Sequence, residues 1–421
     1  MTRVTRLLAA GAVLAVLAGA RASFADGAVP VGDRCAACHA ELGDSTMDVA
    51  TFYAVDVHAR AGLSCADCHG GDPKSDDQDV AMSKKAGYRG APGPLEVPDF
   101  CGRCHGDPGY MRRHNPDLPV DQLSLYRTSA HGKANAAGNR DVATCVSCHT
   151  THTIRPPTES KSSVHPTQVA HTCGRCHADA ALMAKYGLPA DIVAKWEKSV
   201  HGVPMLEGRD LSVPTCNDCH GDHGALPPEA ASVADVCGRC HAHNRELFDA
   251  SPKRAIFEGL GEKGCVTCHH NHDVAKPSDA MLGLGKGAVC ADCHDDDGSK
   301  PALAIRRMRA ALDSLRDSVE GAHVVLAQAE QKGMYVTDVE FRWEDARQKL
   351  FQTRTALHRF DPDSLEAVAR EGLKEAVAVR DDSRKALSAY AFRRRGFLVA
   401  TGFITLLALS LWLKIRSMEI R

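Results

Sequence analysis

Hydrophobic periodicity is concentrated at the two ends of the chain. From Pro301 onward, Ile305, Met308, Leu312, Leu315, Val319, Ala322, Leu326 and Ala329 recur at steps of three and four, which predicts a helical seam. Gly333 marks a stop. Trp343, Ala346, Leu350, Thr353 and Leu357 continue the pattern in a second helix, and Asp361-Pro362 breaks it. A third helix from about Ser364 runs on into the uncharged stretch Phe397 to Leu413. That stretch falls at the short end of the ~17–25 residues that cross a bilayer core. Arg393, Arg394 and Arg395 precede it, Lys414 and Arg416 follow it, and Trp412 sits near one edge. The pattern predicts a helical stalk over 301–392 and a transmembrane anchor with a short tail over 393–421; a buried core helix is the alternative. At the other end, Arg3 and Arg6 precede the apolar run Leu7 to Ala20, and Ala20, Ala22 and Ala25 offer small cleavage positions. Residues 1–25 read as a secretory signal peptide, with an uncleaved signal anchor as the alternative.

In the region between, the residue that recurs is cysteine. All 18 cysteines fall in nine CxxCH pentapeptides: Cys35/Cys38, Cys65/Cys68, Cys101/Cys104, Cys145/Cys148, Cys173/Cys176, Cys216/Cys219, Cys237/Cys240, Cys265/Cys268 and Cys290/Cys293. Each pair is followed at once by a histidine: His39, His69, His105, His149, His177, His220, His241, His269 and His294. CxxCH is the attachment signature of c-type haem. Two thiols add across the two vinyl groups of one porphyrin, and the next residue is placed under the iron, where imidazole is a good axial ligand. A disulfide framework gives no reason for a histidine after every pair. Zinc ribbons need two CxxC pairs per metal and leave the histidines incidental. The expected cofactors are nine covalently bound c-type haems.

These motifs share about 29 residues of chain each, too few to build a separate apolar core around every cofactor. The expected fold is therefore mainly α with little regular structure. Over 26–300, stacked haems serve as the core, wrapped by short helices and loops, and the Gly- and Pro-rich stretch Gly70 to Asp99 reads as a surface loop.

The region repeats internally. "TSAHGKANAAGNRDVATCVSCHTTHTI" (128–154) resembles "KSVHGVPMLEGRDLSVPTCNDCHGDHGAL" (198–226), each with Ser-x-His-Gly, then CxxCH, then a histidine three positions on, and each followed by CGRCH. A looser copy runs from "CVTCHHNHDV" (265–274) to Cys290, with Ser251-Pro252-Lys253 where the others have Ser-x-His, so it lacks one expected ligand. A histidine at +3 cannot swing round a porphyrin to the other side of the same iron. His152, His223 and His272 are therefore expected to serve the next haem. His58, His131, His165 and His201 precede a CxxCH by enough chain to approach an iron from the distal side. For His114, His171, His243, His323 and His358 a ligand role and an ordinary surface role stay open, and His270 points away from its neighbour. The supply of histidine favours bis-His, low-potential sites.

The formal net charge of −2 and the absence of a basic tract exclude a nucleic-acid partner. Haem attachment requires export, which sets the body in the periplasm and the tail inside the cytoplasmic membrane. "SVHG…VPTCNDCHGDHG", "TSAHG…ATCVSCHTTHTI", "TCGRCHAD" and "CHHNHD" resemble the bacterial multihaem cytochromes c of the cytochrome c3-like, doubled-CxxCH type over about 31–300. The resemblance implies an electron conduit between a quinol-oxidising membrane component, such as a cytochrome b, and a periplasmic or extracellular acceptor. No catalytic residue is expected. The alternative is a multihaem reductase or oxidase of a small nitrogen or sulfur compound, which needs one open axial position; Lys253 keeps it in view.

Overall fold

The computed structural model describes residues 33–41, 49–229 and 232–419, all helix, turn and loop, with no strand among them. The signal peptide expected over 1–25 lies outside them. The chain forms two compact units. One takes the described residues up to Pro227 together with His272–Val274; the other takes those from Pro228 to Asn271 and from Ala275 onward. This division falls within the cysteine-rich region, whereas the change in composition near residue 300 marks the start of a long helix inside the second unit.

Six of the nine CxxCH motifs fold in one of two ways. Those at Cys65, Cys145, Cys216 and Cys265 are isolated single helical turns: Cys65–His69, Cys145–His149, Cys216–His220 and Cys265–His269. The first three begin with a reciprocal cap, Ser64 with Asp67, Thr144 with Ser147 and Thr215 with Asp218. All four end on a residue of positive φ, at Gly70, Thr150, Gly221 and His270. That residue stops the turn directly after the histidine. Gly70 is also needed for space, because a Cβ there would stand 2.0 Å from Gly87 O. The motifs at Cys101 and Cys173 instead close longer helices, Val97–His105 and Pro166–His177.

A backbone tie recurs between the copies. Val57 N–H donates to Ile154 O (2.9 Å), Ala130 N–H to Ala225 O (3.0 Å) and Val200 N–H to Val274 O (2.9 Å). Each donor stands one residue before His58, His131 or His201. Each acceptor stands two residues after His152, His223 or His272. In the last copy Pro252 occupies the donor position and has no N–H to give. The glycine of Ser-x-His-Gly has a packing reason: a Cβ would lie 1.8 Å from Tyr126 O at Gly132 and 2.0 Å from Trp196 O at Gly202.

Three helices, α1 (Lys300–Gln331), α2 (Thr337–Ala356) and α3 (Pro362–Glu419), hold the only large apolar core among the described residues. All eight seam residues of α1 are buried. Ala346, Leu350 and Thr353 of α2 are buried too, with Trp343 and Leu357 packed against the core. α1 ends before Gly333, which takes a φ of 70°, and α3 starts at Pro362 and continues without a break through Phe397–Leu413. In the cysteine-rich region the one apolar cluster is Ala170, Trp196 and Met205.

The segment before the last CxxCH is fastened to these helices. Leu282 and Cys290 pack on their core, and Arg309 donates to Asp279 O and Leu282 O at 2.9 and 3.0 Å. Arg354 grips the Asp279 carboxylate with two bonds, at 2.8 and 2.9 Å. These bonds hold the Asp279 carboxyl below its usual range against a smaller opposing effect of burial. A depressed carboxyl contributes stability in full above its unfolded value of about 4 and loses it as pH falls through the folded value. Asp279→Asn is expected to cost about 1–2 kcal/mol at pH 7, since Arg354 is partly exposed, and to remove this part of the acid sensitivity. Urea unfolding of both forms at pH 7 and near pH 3 checks it; an equal gap at the two pH values argues against the pair.

Candidate functional site

The two kinds of histidine meet in pairs. His58 faces His105 with ring centroids 5.9 Å apart, His69 faces His152 at 6.1 Å, and His131 faces His177 at 6.1 Å. His149 faces His223 at 5.9 Å, His220 faces His272 at 5.9 Å, and His269 faces His358 at 6.1 Å. Each pair contains one CxxCH histidine and one that is not. An imidazole–metal bond is about 2.0–2.1 Å, so two rings across one metal place their nitrogens about 4 Å and their centroids about 6 Å apart. The observed spacing fits an iron held between two axial imidazoles. No group of three or more His, Cys, Asp or Glu among the described residues is arranged to hold a bare ion, and none of the 18 cysteines is in a disulfide.

Local hydrogen bonds set the rings. His58 Nδ1 lies 2.8 Å from Asp56 Oδ1, His69 Nδ1 3.0 Å from Gly90 O, His220 Nδ1 3.2 Å from Leu226 O and His358 Nδ1 3.0 Å from Thr355 O. A proton held on Nδ1 leaves Nε2 free to ligate, the usual arrangement behind a metal-bound histidine. Burial, and then the facing imidazole, push His105, His131, His149, His152, His269 and His272 below the ordinary histidine pKa, a shift toward the neutral ring that ligation requires.

The pairing runs backward along the chain for the +3 histidines. His152, His223 and His272 face the isolated CxxCH of the preceding copy, not the next one. The upstream histidines pass over the nearest motif: His58 and His131 skip Cys65 and Cys145 to reach His105 and His177. His165 stands at the N-cap of the helix Pro166–His177, with Nδ1 2.8 Å from Thr167 Oγ1 and 3.3 Å from Thr167 N–H. Pro166 directly after it was the available signal, since proline favours the first helical position. His201 follows the buried Ser199 as His131 follows Ser129. His39 ends its motif on the helix Arg34–Glu41, and His241 starts the helix Ala242–Asp249.

Of the histidines left open, His358 is the one the structure brings to a CxxCH histidine. It sits on the short turn Leu357–Arg359 between α2 and α3, with the Asn244 amide 3.3 Å from its ring nitrogens. His114 stacks on Tyr110, His243 lies beside Glu246 and His323 stacks on Trp343. His171 and His270 are exposed.

Lys253 is the residue that sequence reasoning left without a partner. Its Nζ lies 2.9 Å from Nε2 of His294, the histidine of the last CxxCH.

The cysteines are also neighbours in series. Cys101 shares a sulfur hydrogen bond with Cys145, as Cys173 does with Cys216, and these bonds together with burial hold Cys101 and Cys173 well above the ordinary thiol pKa. Cys237 and Cys265 are bonded in the same way. Cys104 lies close enough to Cys68, Cys173 to Cys148 and Cys290 to Cys268 to add to the effect of burial on each. Arg103 donates to Cys68 O at 3.0 Å, and Arg175 to Ser147 O, so in the motifs at Cys101 and Cys173 the CGRCH arginine locks the motif to the one before it.

The second cysteine of several motifs is not covered by other parts of the protein chain. Cys38 on the helix Arg34–Glu41, Cys219 in the turn Cys216–His220, Cys240 in the turn after Val233–Gly238 and Cys293 before His294 are exposed. Cys176, near the end of Pro166–His177, is half-buried and adds a little to the rise at Cys148. A sulfur that is to meet a vinyl group must stand clear of the protein, so exposure is compatible with attachment at Cys38, Cys219 and Cys240.

A family model described as cytochrome c3 matches residues 57–178, the stretch that holds the pairs His58–His105, His69–His152 and His131–His177. The chain is also similar to "Multiheme cytochrome MtrA" of Shewanella baltica (strain OS185), at 26% identity over 279 residues, covering 63% of this chain and 67% of that protein. No solved structure matches.

His223→Met is expected to convert one site from two imidazoles to imidazole and thioether, which raises the potential of that site alone. Spectroelectrochemical titration of the full chain reads this as one component moving upward. A curve identical to that of the unchanged protein counts against the His149–His223 pair.

Proposed function

We propose, for a chain that belongs to the multihaem c-type cytochromes, that all nine CxxCH motifs carry haem and that the protein is a membrane-anchored periplasmic electron conduit. The coarse function, electron transfer by covalently bound c-type haems, rests on that family. The finer reading rests on one observation: six imidazole pairs at 5.9–6.1 Å, each drawing its two halves from distant parts of the chain. When bound, haem supplies one-electron iron chemistry. The chain's residues hold both axial positions at these six sites, which favours electron carriage over substrate binding. The serial cysteine contacts favour close spacing of successive cofactors within each unit.

In this reading residues 1–25 are the export signal, 26–300 carry the haems, 301–392 form the helical stalk, and 393–421 anchor the protein in the cytoplasmic membrane with a short tail inside. The last part of α3 supports the anchor. It is the one described helix long and apolar enough to cross a membrane, and its apolar window is not buried in the molecule. Phe397, Phe403 and Trp412 are exposed, and Arg416 lies over the Trp412 ring. A quinol-oxidising membrane component, such as a cytochrome b, is the proposed donor, and a periplasmic or extracellular redox protein the acceptor.

Purified oxidised protein is expected to contain nine haems per chain by pyridine haemochrome, to show only low-spin signals by electron paramagnetic resonance, and to leave its reduced spectrum unchanged under carbon monoxide. A high-spin haem that binds carbon monoxide would instead favour the reductase reading, and nitrite and hydroxylamine become the substrates to test. Truncation after Phe392 keeps every buried position of α3, the last being Ser383. It is expected to release a fully loaded protein from the membrane fraction; retention there would sink the anchor.

A further inference from the structure

We propose that Lys253 is the distal axial ligand of the haem held by Cys290, Cys293 and His294, giving this site a His/Lys pair among His/His neighbours. The inference rests on the haem reading above, and three observations carry it.

First, Lys253 stands in the ligand position of its copy. His131 and His201 each follow a buried serine by two residues, and that serine's hydroxyl donates to a carbonyl three residues back: Ser129 to Tyr126 O at 2.6 Å and Ser199 to Trp196 O at 2.7 Å. Ser251 is buried and donates to Phe248 O at 2.6 Å, so Lys253 is presented from the same local frame. Second, the target matches. His131 passes over one CxxCH and reaches the histidine of the following one, His177. Lys253 likewise passes over Cys265 and reaches His294, with Nζ in a direct hydrogen bond 2.9 Å from Nε2; admitting an iron between the two nitrogens needs the amine to draw back by about 1 Å, which its flexible stem allows. Third, the amine points at His294 and not at a carboxylate. No carboxylate among the described residues forms a salt bridge with it; its other neighbours are the faces of Phe257 and Phe360, at 5.7 and 6.0 Å. A surface lysine ordinarily takes its charge to water, whereas this one is turned inward to an imidazole and two aromatic rings. A lysine amine ligates as the free base, so binding releases one proton to solvent, and the flexible four-carbon stem gives it the reach.

The test uses the full-length protein. The peptide carrying Cys290 and Cys293 is weighed first. If it lacks haem, the nine-haem reading and this inference fall together. If it is loaded, near-infrared magnetic circular dichroism of the oxidised protein is expected to show one low-spin haem whose charge-transfer band is displaced from the bis-imidazole set. Lys253→His moves that band into the bis-imidazole set with haem content unchanged. Lys253→Ala gives one high-spin haem per chain that binds carbon monoxide. A band set that Lys253→His leaves unaltered overturns the inference while leaving the conduit reading in place. An unchanged protein that already has one carbon monoxide-binding haem, equal in amount in Lys253→Ala, also overturns the inference and favours the reductase reading. If the alanine form does not accumulate, the unchanged protein and the histidine form decide between these outcomes.

Discussion

Two imidazoles facing each other at about 6 Å, one from a CxxCH and one from elsewhere in the chain, set the constraint on which this structure depends. Burying a polar ring is costly unless its nitrogens find partners. Here one nitrogen is met by a nearby carbonyl or carboxylate, as at His58, His69, His220 and His358, which leaves the other for a metal. The positive-φ stops after the isolated turns, the recurrent backbone ties and the close approach at Gly132 and Gly202 all serve to bring the second ring to the first. In the array, side-chain packing gives way to ligation: its one apolar cluster has three buried residues, and the large core lies in α1, α2 and α3.

Much of this was legible in the residues. The CxxCH count, the serine-led upstream histidines and the +3 histidines are local patterns, and the seam of α1 is a plain period of three and four. The partners of each ligand were not legible, because pairing is a long-range property. Nothing local says that His152 turns back to His69 or that His58 passes over the nearest motif. His358 had no local signal at all: it sits in a tight turn between two ordinary amphipathic helices, and only tertiary folding brings it to His269. His165 lies upstream of a CxxCH as a ligand would, and Pro166 places it at a helix N-cap.

The last copy differs from the others because nothing follows it. Its upstream segment has proline where a backbone donor would need an acceptor in a further copy, and that further copy does not exist. Its isolated turn cannot draw a +3 histidine from beyond, so the bundle supplies His358 instead. Terminal units of repeat arrays generally depart from the internal pattern because one of their faces has no neighbour. The helical bundle is therefore part of the array's chemistry, and Arg354, Arg309 and the buried Leu282 hold its edge to the segment leading to Cys290.

The backward-running pairing also bears on how such a chain can grow. Each isolated turn takes its second ring from the copy after it, and the bundle closes the series. A whole copy inserted between two others would receive a ring from its successor and give one to its predecessor, leaving both ends as they were. A copy lost from the end would strand its predecessor's iron half-coordinated. Over evolutionary time such a conductor can lengthen or shorten in its interior by duplication, in steps of one haem pair, while its helical terminus stays fixed.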